Sequence, residues 1–141
     1  MITYKIYKFP EHPLTFAAKD LRNKSSIPKE IVNLLTSWEV AFSDRVIIVH
    51  DDYELMGFFR YDIGDNPYNI YAAGTYIFPK YRNLGLAFSL WEKMIQINKP
   101  KNIYAHIESD GGFKLIEKIK SKYICIKYDC TFSEKIKLKA S

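Results

Sequence analysis

The sequence predicts an α+β domain in which about seven strands and about four helices build on one mixed sheet. Three observations predict it. Period-two and 3.6-residue apolar patterns follow one another in the order β-α-α-β-β-β-α-β-α-β-β. Apolar residues make up 48% of the 141, enough for a core of ordinary size. No composition shift, internal repeat or low-complexity stretch divides the chain, so 1–141 reads as a single domain.

Residues 2–9 put Ile2, Tyr4 and Ile6 on one face and Thr3, Lys5 and Tyr7 on the other, a strand stopped by Pro10 and Pro13. Leu14, Ala17, Ala18 and Leu21 recur at helical spacing. After the polar break 23–28, Ser26 suits an N-cap, and Pro28 and Glu30 suit a first turn. Ile31, Leu34, Leu35, Trp38 and Phe42 then share one helical face. Residues 45–50 and 54–62 read as strands of a hairpin around Asp51-Asp52, and Gly64-Asp65-Asn66-Pro67 turns the chain into a longer strand, 69–78. A helix over 84–98 carries Leu84, Ala87, Phe88, Trp91, Met94 and Ile95 in one stripe, widened by Leu86, Leu90 and Ile97, as a central helix requires. Residues 103–108 form a fifth strand. Asp110-Gly111-Gly112 turns into a short helix over 113–120, and alternation predicts two final strands at 123–128 and 131–138.

Charge and cysteines narrow the chemistry. The net charge of +5 gathers late, at Lys114, Lys118, Lys120, Lys122, Lys127, Lys135, Lys137 and Lys139. A solvated Lys-rich face explains it, and its field favours an anionic cofactor. Cys125 and Cys130 lie outside any metal-ligand spacing and read as buried free thiols in adjoining strands, so no metal is expected. The N-terminus alternates rather than forming an apolar block, unlike a signal peptide. The run Val46-Ile47-Ile48-Val49 is too short to cross a bilayer. The expectation is a cytoplasmic protein without a membrane partner. His12 and His50 fall at turn positions.

The phrase Thr75-Tyr76-Ile77-Phe78-Pro79-Lys80-Tyr81-Arg82-Asn83-Leu84-Gly85-Leu86-Ala87 is the most informative stretch. A strand ends at Pro79, and a basic residue leads into a Gly-containing turn that opens a buried helix. The first turn of a helix leaves N–H groups unpaired at the positive end of its dipole, which suits phosphate. Gly85 lets the backbone approach an anion, and Ala87 keeps the next position small. This stretch resembles motif A of the GNAT superfamily of N-acetyltransferases, Q/R-x-x-G-x-G/A, at Arg82, Gly85 and Ala87, and the order of elements is similar along the chain. The resemblance implies α/β/α layers and a coenzyme-A pyrophosphate held by the N–H groups of Asn83, Leu84, Gly85, Leu86 and Ala87. It implies a pantetheine arm paired along Tyr76, Ile77 and Phe78, and a thioester in the V between the fourth and fifth strands. A main-chain N–H near Ile77 would polarise the carbonyl. The acceptor amine would enter past residues 23–27.

The usual proton-transfer residues of that family are replaced. The strand 69–78 holds no Asp or Glu, and Tyr71 stands at the family's glutamate position. Ile116 stands where a late-helix tyrosine would protonate the thiolate, and Tyr123 substitutes for a missing Gly-Phe. His106 and Glu108 share a face of the fifth strand with Tyr104, and His is suited to base work near neutral pH. The candidate catalytic residues are therefore Tyr71, His106 and Glu108. The first expectation is transfer of an acyl group, acetyl above all, from acyl-CoA to a primary amine of a small molecule, protein or modified base, by direct attack in a ternary complex. Net charge leans toward an anionic or nucleic-acid-associated acceptor. The competing expectations are a catalytically silent fold that binds or inhibits a partner, and a basic nucleic-acid-binding domain, for which two strands with one wet face give no independent support. A homodimer through the final strands fits but has no distinctive signal. No G-x-S-x-G, Walker A or H-E-x-x-H offers other chemistry.

Overall fold

A computed structural model of the chain describes residues 1–8, 43–52 and 54–140. Within them a six-stranded sheet follows sequence order: β1 (Thr3–Lys8), β2 (Arg45–His50), β3 (Leu55–Ile63), β4 (Asn69–Ile77), β5 (Asn102–Ile107) and β6 (Lys127–Phe132). Among the described residues the helices are α1 (Leu86–Asn98), α2 (Asp110–Lys122) and α3 (Glu134–Ala140), and a 3-10 turn covers Pro79–Tyr81. Strands β1 to β4 pair antiparallel, while β4–β5 and β5–β6 are parallel. The connections explain the change of direction. A tight turn joins β3 to β4, closed by Gly64 N–H to Asn69 O at 3.1 Å and Asn69 N–H to Asn66 O at 2.9 Å. Parallel neighbours need a crossover, and α1 and α2 supply the two.

Both crossover helices cover one sheet face. Ile47, Val49, Phe59, Tyr61, Ile70 and Ile103 project from the sheet into a cluster with Leu90, Trp91, Met94, Ile116 and Ile119. Phe59 stacks on Trp91 with centroids 5.0 Å apart and planes 10° apart. Two core aromatics find partners for their polar ends: Trp91 Nε1 donates to Thr75 Oγ1 at 2.8 Å, and the Tyr61 hydroxyl donates to Asn98 Oδ1 at 2.8 Å. Burial raises the Tyr61 pKa far above its ordinary value.

Several expectations change. The two final strands over 123–128 and 131–138 are one strand, β6, and one helix, α3. The alternation in Glu134-Lys135-Ile136-Lys137 holds Ile136 fully buried, but a helix meets that need once per turn. Ser133 O accepts from both Ile136 N–H and Lys137 N–H, and Glu134 opens the first turn and pairs with Lys137 at 3.2 Å. Cys125 is exposed and lies outside any strand, and Cys130 is half-buried in β6, where burial raises its thiol pKa. Helix α1 begins at Leu86, so Leu84 lies before it at 63% exposure, and Ile97 stands at 50% on its outer side. The late helix takes in Asp110-Gly111-Gly112, because Ser109 caps it by accepting from Gly112 N–H at 3.0 Å. His50 ends β2 as a buried residue rather than occupying a turn. The predicted helices over 14–21 and 31–42, with Ser26, Trp38, His12 and the acceptor loop 23–27, lie outside the described residues.

Candidate active site

Two irregularities in β4 create the site. Against β3, Arg60 pairs with Gly74 and Tyr61 with Ala72, so Ala73 is an extra residue. Such a bulge bends its strand and strengthens the local twist. Against β5, pairing runs only from Asn69–Asn102 to Ala72–Ala105. Beyond that point β4 follows β3 and β5 follows β6, and the strands part. A cleft of about 710 Å³ fills the gap.

The mouth of the cleft is the turn into α1. Phe78 N–H returns to β3, donating to Met56 O at 3.0 Å. Strand alternation therefore turns the N–H and C=O of Ile77 toward the cleft edge. Arg82 Nε donates to that Ile77 O at 2.9 Å, and its guanidinium lies over the Tyr76 ring at 5.5 Å, which folds the loop back on the strand end. Asn83 and Gly85 take positive φ, 66° and 75°. Gly85 is the N-cap of α1 and offers no side chain, and the first turn holds no acidic residue. Among the described residues, no backbone carbonyl accepts from the N–H groups of Asn83, Leu84, Gly85, Leu86, Ala87 or Phe88. Unpaired donors at the positive end of a helix form an anion cradle.

Of the residues expected to hold the cofactor, Tyr76, Ile77, Arg82, Asn83, Gly85, Leu86 and Ala87 line the cleft. Phe78 is buried beside it, and the Leu84 side chain points to solvent. His106 and Glu108 line the open end of the V. His106 is not isolated: Nδ1 lies 2.7 Å from Thr131 Oγ1, and Nε2 lies 3.5 Å from Glu108 Oε1. Tyr71 is outside the cleft lining and stacks on Tyr104. Ile116 faces the core. The Tyr123 hydroxyl donates to Glu92, which also takes Lys122 at 2.6 Å, so this pair clasps α1 to the end of α2. The Lys122 and Tyr123 hydrogen bonds hold the Glu92 carboxyl below its ordinary value. Thr131 escapes sequence reasoning because only the β5–β6 register, His106 opposite Thr131, brings it to His106. No group of His, Cys, Asp and Glu suited to a metal occurs among the described residues.

The strands thus part over an uncapped helix N-terminus, and the cleft between them ends in unpaired N–H donors. The chain belongs to the acetyltransferase (GNAT) family, whose model matches residues 9–116. No curated protein matches it in sequence. Among solved structures it resembles a GNAT-family acetyltransferase of Streptococcus pneumoniae TIGR4, at 16% identity over 89% of this chain and 93% of that one, TM-score 0.56. It also resembles an aminoglycoside acetyltransferase from an uncultured soil metagenomic sample, at 12% identity over 84% and 90%, TM-score 0.59. A predicted acetyltransferase of Clostridium acetobutylicum with acetyl-CoA aligns at 15% identity over 84% and 88%, TM-score 0.52. At these identities the likeness is one of fold.

Proposed function

We propose that the chain is an N-acetyltransferase that takes its acyl group from acetyl-CoA and passes it to a primary amine. The observation that carries this is the cradle of unpaired N–H groups at Asn83 to Ala87, set where β4 and β5 part. Those groups hold the pyrophosphate, Arg82 shapes the loop, and the edge of β4 at Tyr76 and Ile77 receives the pantetheine arm. The Ile77 N–H faces the thioester carbonyl, where it meets charge that develops during attack. The amine nitrogen bonds to the carbonyl carbon, the carbon–sulfur bond breaks, and the thiolate of CoA leaves. His106, with Glu108 on Nε2 and Thr131 on Nδ1, is positioned to receive the amine proton. Tyr71 acts on the acceptor side. A single domain over 1–141 carries the step.

A binding-only role is the second reading. It is favoured by Ile116 lying in the core where a proton donor would stand, and by the absence of Tyr71 from the cleft lining.

Titration calorimetry tests the first reading. Acetyl-CoA and free CoA should both bind, and Gly85→Glu should abolish binding by placing a carboxylate in the cradle. Absence of heat with the native chain, or binding that survives the substitution, would sink this placement. Binding of acetyl-CoA with no release of CoA thiol across a broad set of amines would leave the binding-only reading.

A further inference from the structure

The sheet face turned away from α1 and α2 carries a row of which the transfer step uses only Tyr71. Register places Asp62 beside Tyr71, Tyr71 beside Tyr104, and Tyr104 beside Asp129, across β3, β4, β5 and β6. All four point away from the core, because their strand neighbours Tyr61, Ile70, Ile103 and Tyr128 pack into it. The two tyrosine rings stack, centroids 4.7 Å and planes 13° apart, yet Tyr71 remains 42% exposed. Gly64 backs the pair, since a Cβ there would come within 2.9 Å of the Tyr71 ring. The row stops one residue short of the parting of β4 and β5, where Ala72 and Ala105 begin the cleft lining. His106 lies two residues beyond Tyr104 on the same face, with Glu108 at its ring.

We propose that this row is the platform on which the acceptor lies, and that the acceptor is a cationic amine with at least two amino groups. The assignment rests on the acetyl-CoA reading of the cleft. An exposed tyrosine stack beside a reaction centre attracts an ammonium or its alkyl chain. The charges set the sign. Asp129 is exposed and forms no salt bridge among the described residues, Glu108 is exposed, and Asp62 accepts from Asp44 N–H at 2.9 Å. Among the described residues the cations on this face are Lys127, two residues before Asp129, Arg60, which folds along Gly74, and Lys5, three strands from Tyr71 on β1. The amine that attacks must be neutral, so an ammonium held at Asp129 belongs to a second amino group. Strand spacing and rise put Asp129 roughly 8 Å from His106, the reach of a chain of about six carbons. The acceptor face thus departs from the +5 charge of the whole chain, which leans toward anionic acceptors.

Release of CoA thiol from acetyl-CoA, measured with 1,6-diaminohexane, hexylamine and 6-aminohexanoate, tests this with three acceptors of equal length. The diamine should exceed hexylamine in kcat/KM by about tenfold, and 6-aminohexanoate should be the poorest. Asp129→Asn should raise KM for the diamine about tenfold and leave hexylamine unchanged, a split that a structural role would not produce. Tyr104→Ala should raise KM for both amines, with Tyr104→Phe restoring it and acetyl-CoA affinity constant throughout. Equal use of the three amines, preference for 6-aminohexanoate, unchanged KM in both variants, or no turnover of any of them while acetyl-CoA binds would overturn the assignment. If acetyl-CoA itself does not bind, the reading of the cleft falls first and this assignment with it.

Discussion

Gly85 stands at φ 75° with no heavy atom within 4 Å of the place a Cβ would take. Space admits a methyl group there, but the left-handed backbone penalises it. Gly85→Ala should cost roughly 1 kcal/mol, read as a lower urea midpoint with an unchanged slope. Gly57 presents the opposite case. Its φ is ordinary, but a Cβ would meet Tyr76 O at 2.6 Å and Ile77 Cδ1 at 2.5 Å, so Gly57→Ala should cost more than Gly85→Ala. At this scale the sequence reveals what is local. The places of Arg82, Gly85 and Ala87 are legible because spacing along the chain fixes them around the helix start. The contact of His106 with Thr131 is not, because it arises only through strand pairing 25 residues away. The stack of Tyr71 on Tyr104 is hidden for the same reason.

Among the elements, α1 shows how far periodicity reaches. The stripe through Leu90, Trp91, Met94 and Ile95 is buried as its spacing requires, while Leu84 and Ile97 fall outside it. Leu84 precedes the left-handed turn, and Ile97 lies on the outer side of the last turn. Leu90→Ala should therefore cost about 3 kcal/mol, and Ile97→Ala less than about 0.5 kcal/mol, by urea unfolding. Helix α3 marks where pattern fails. In a segment of four or five residues, alternate apolar positions fit a strand face and a helix turn equally well. What decides is Ser133, whose carbonyl collects the first helical N–H groups, and Ile136, which anchors the single buried position. The bulge at Ala73 leaves one faint signal, the lone Gly74 inside a strand pattern, since neither Ala72 nor Gly74 breaks the alternation by polarity.

Over the whole molecule, charge works locally rather than as a sum. Glu92 joins α1 to the end of α2 through Lys122 and Tyr123. Its carboxyl is held below the ordinary glutamate value, first by the Lys122 hydrogen bond and then by Tyr123. A depressed carboxyl stabilises the fold fully above its unfolded pKa and loses that contribution as pH falls through its folded value. Glu92→Gln should therefore lower stability at pH 7, and the gap from the native chain should close below pH 4.5 as urea midpoints are followed into acid. A gap independent of pH would assign the loss to packing.

The short β4–β5 seam has a mechanical consequence. Four residue pairs are the whole of the β4–β5 ladder, and past them no rung fixes the width of the V, which is left to the packing of α1 and α2 on the sheet. Whatever lies along the open edge of β4 completes the missing rungs and becomes a seventh strand in all but covalent connection, so occupancy and rigidity rise together.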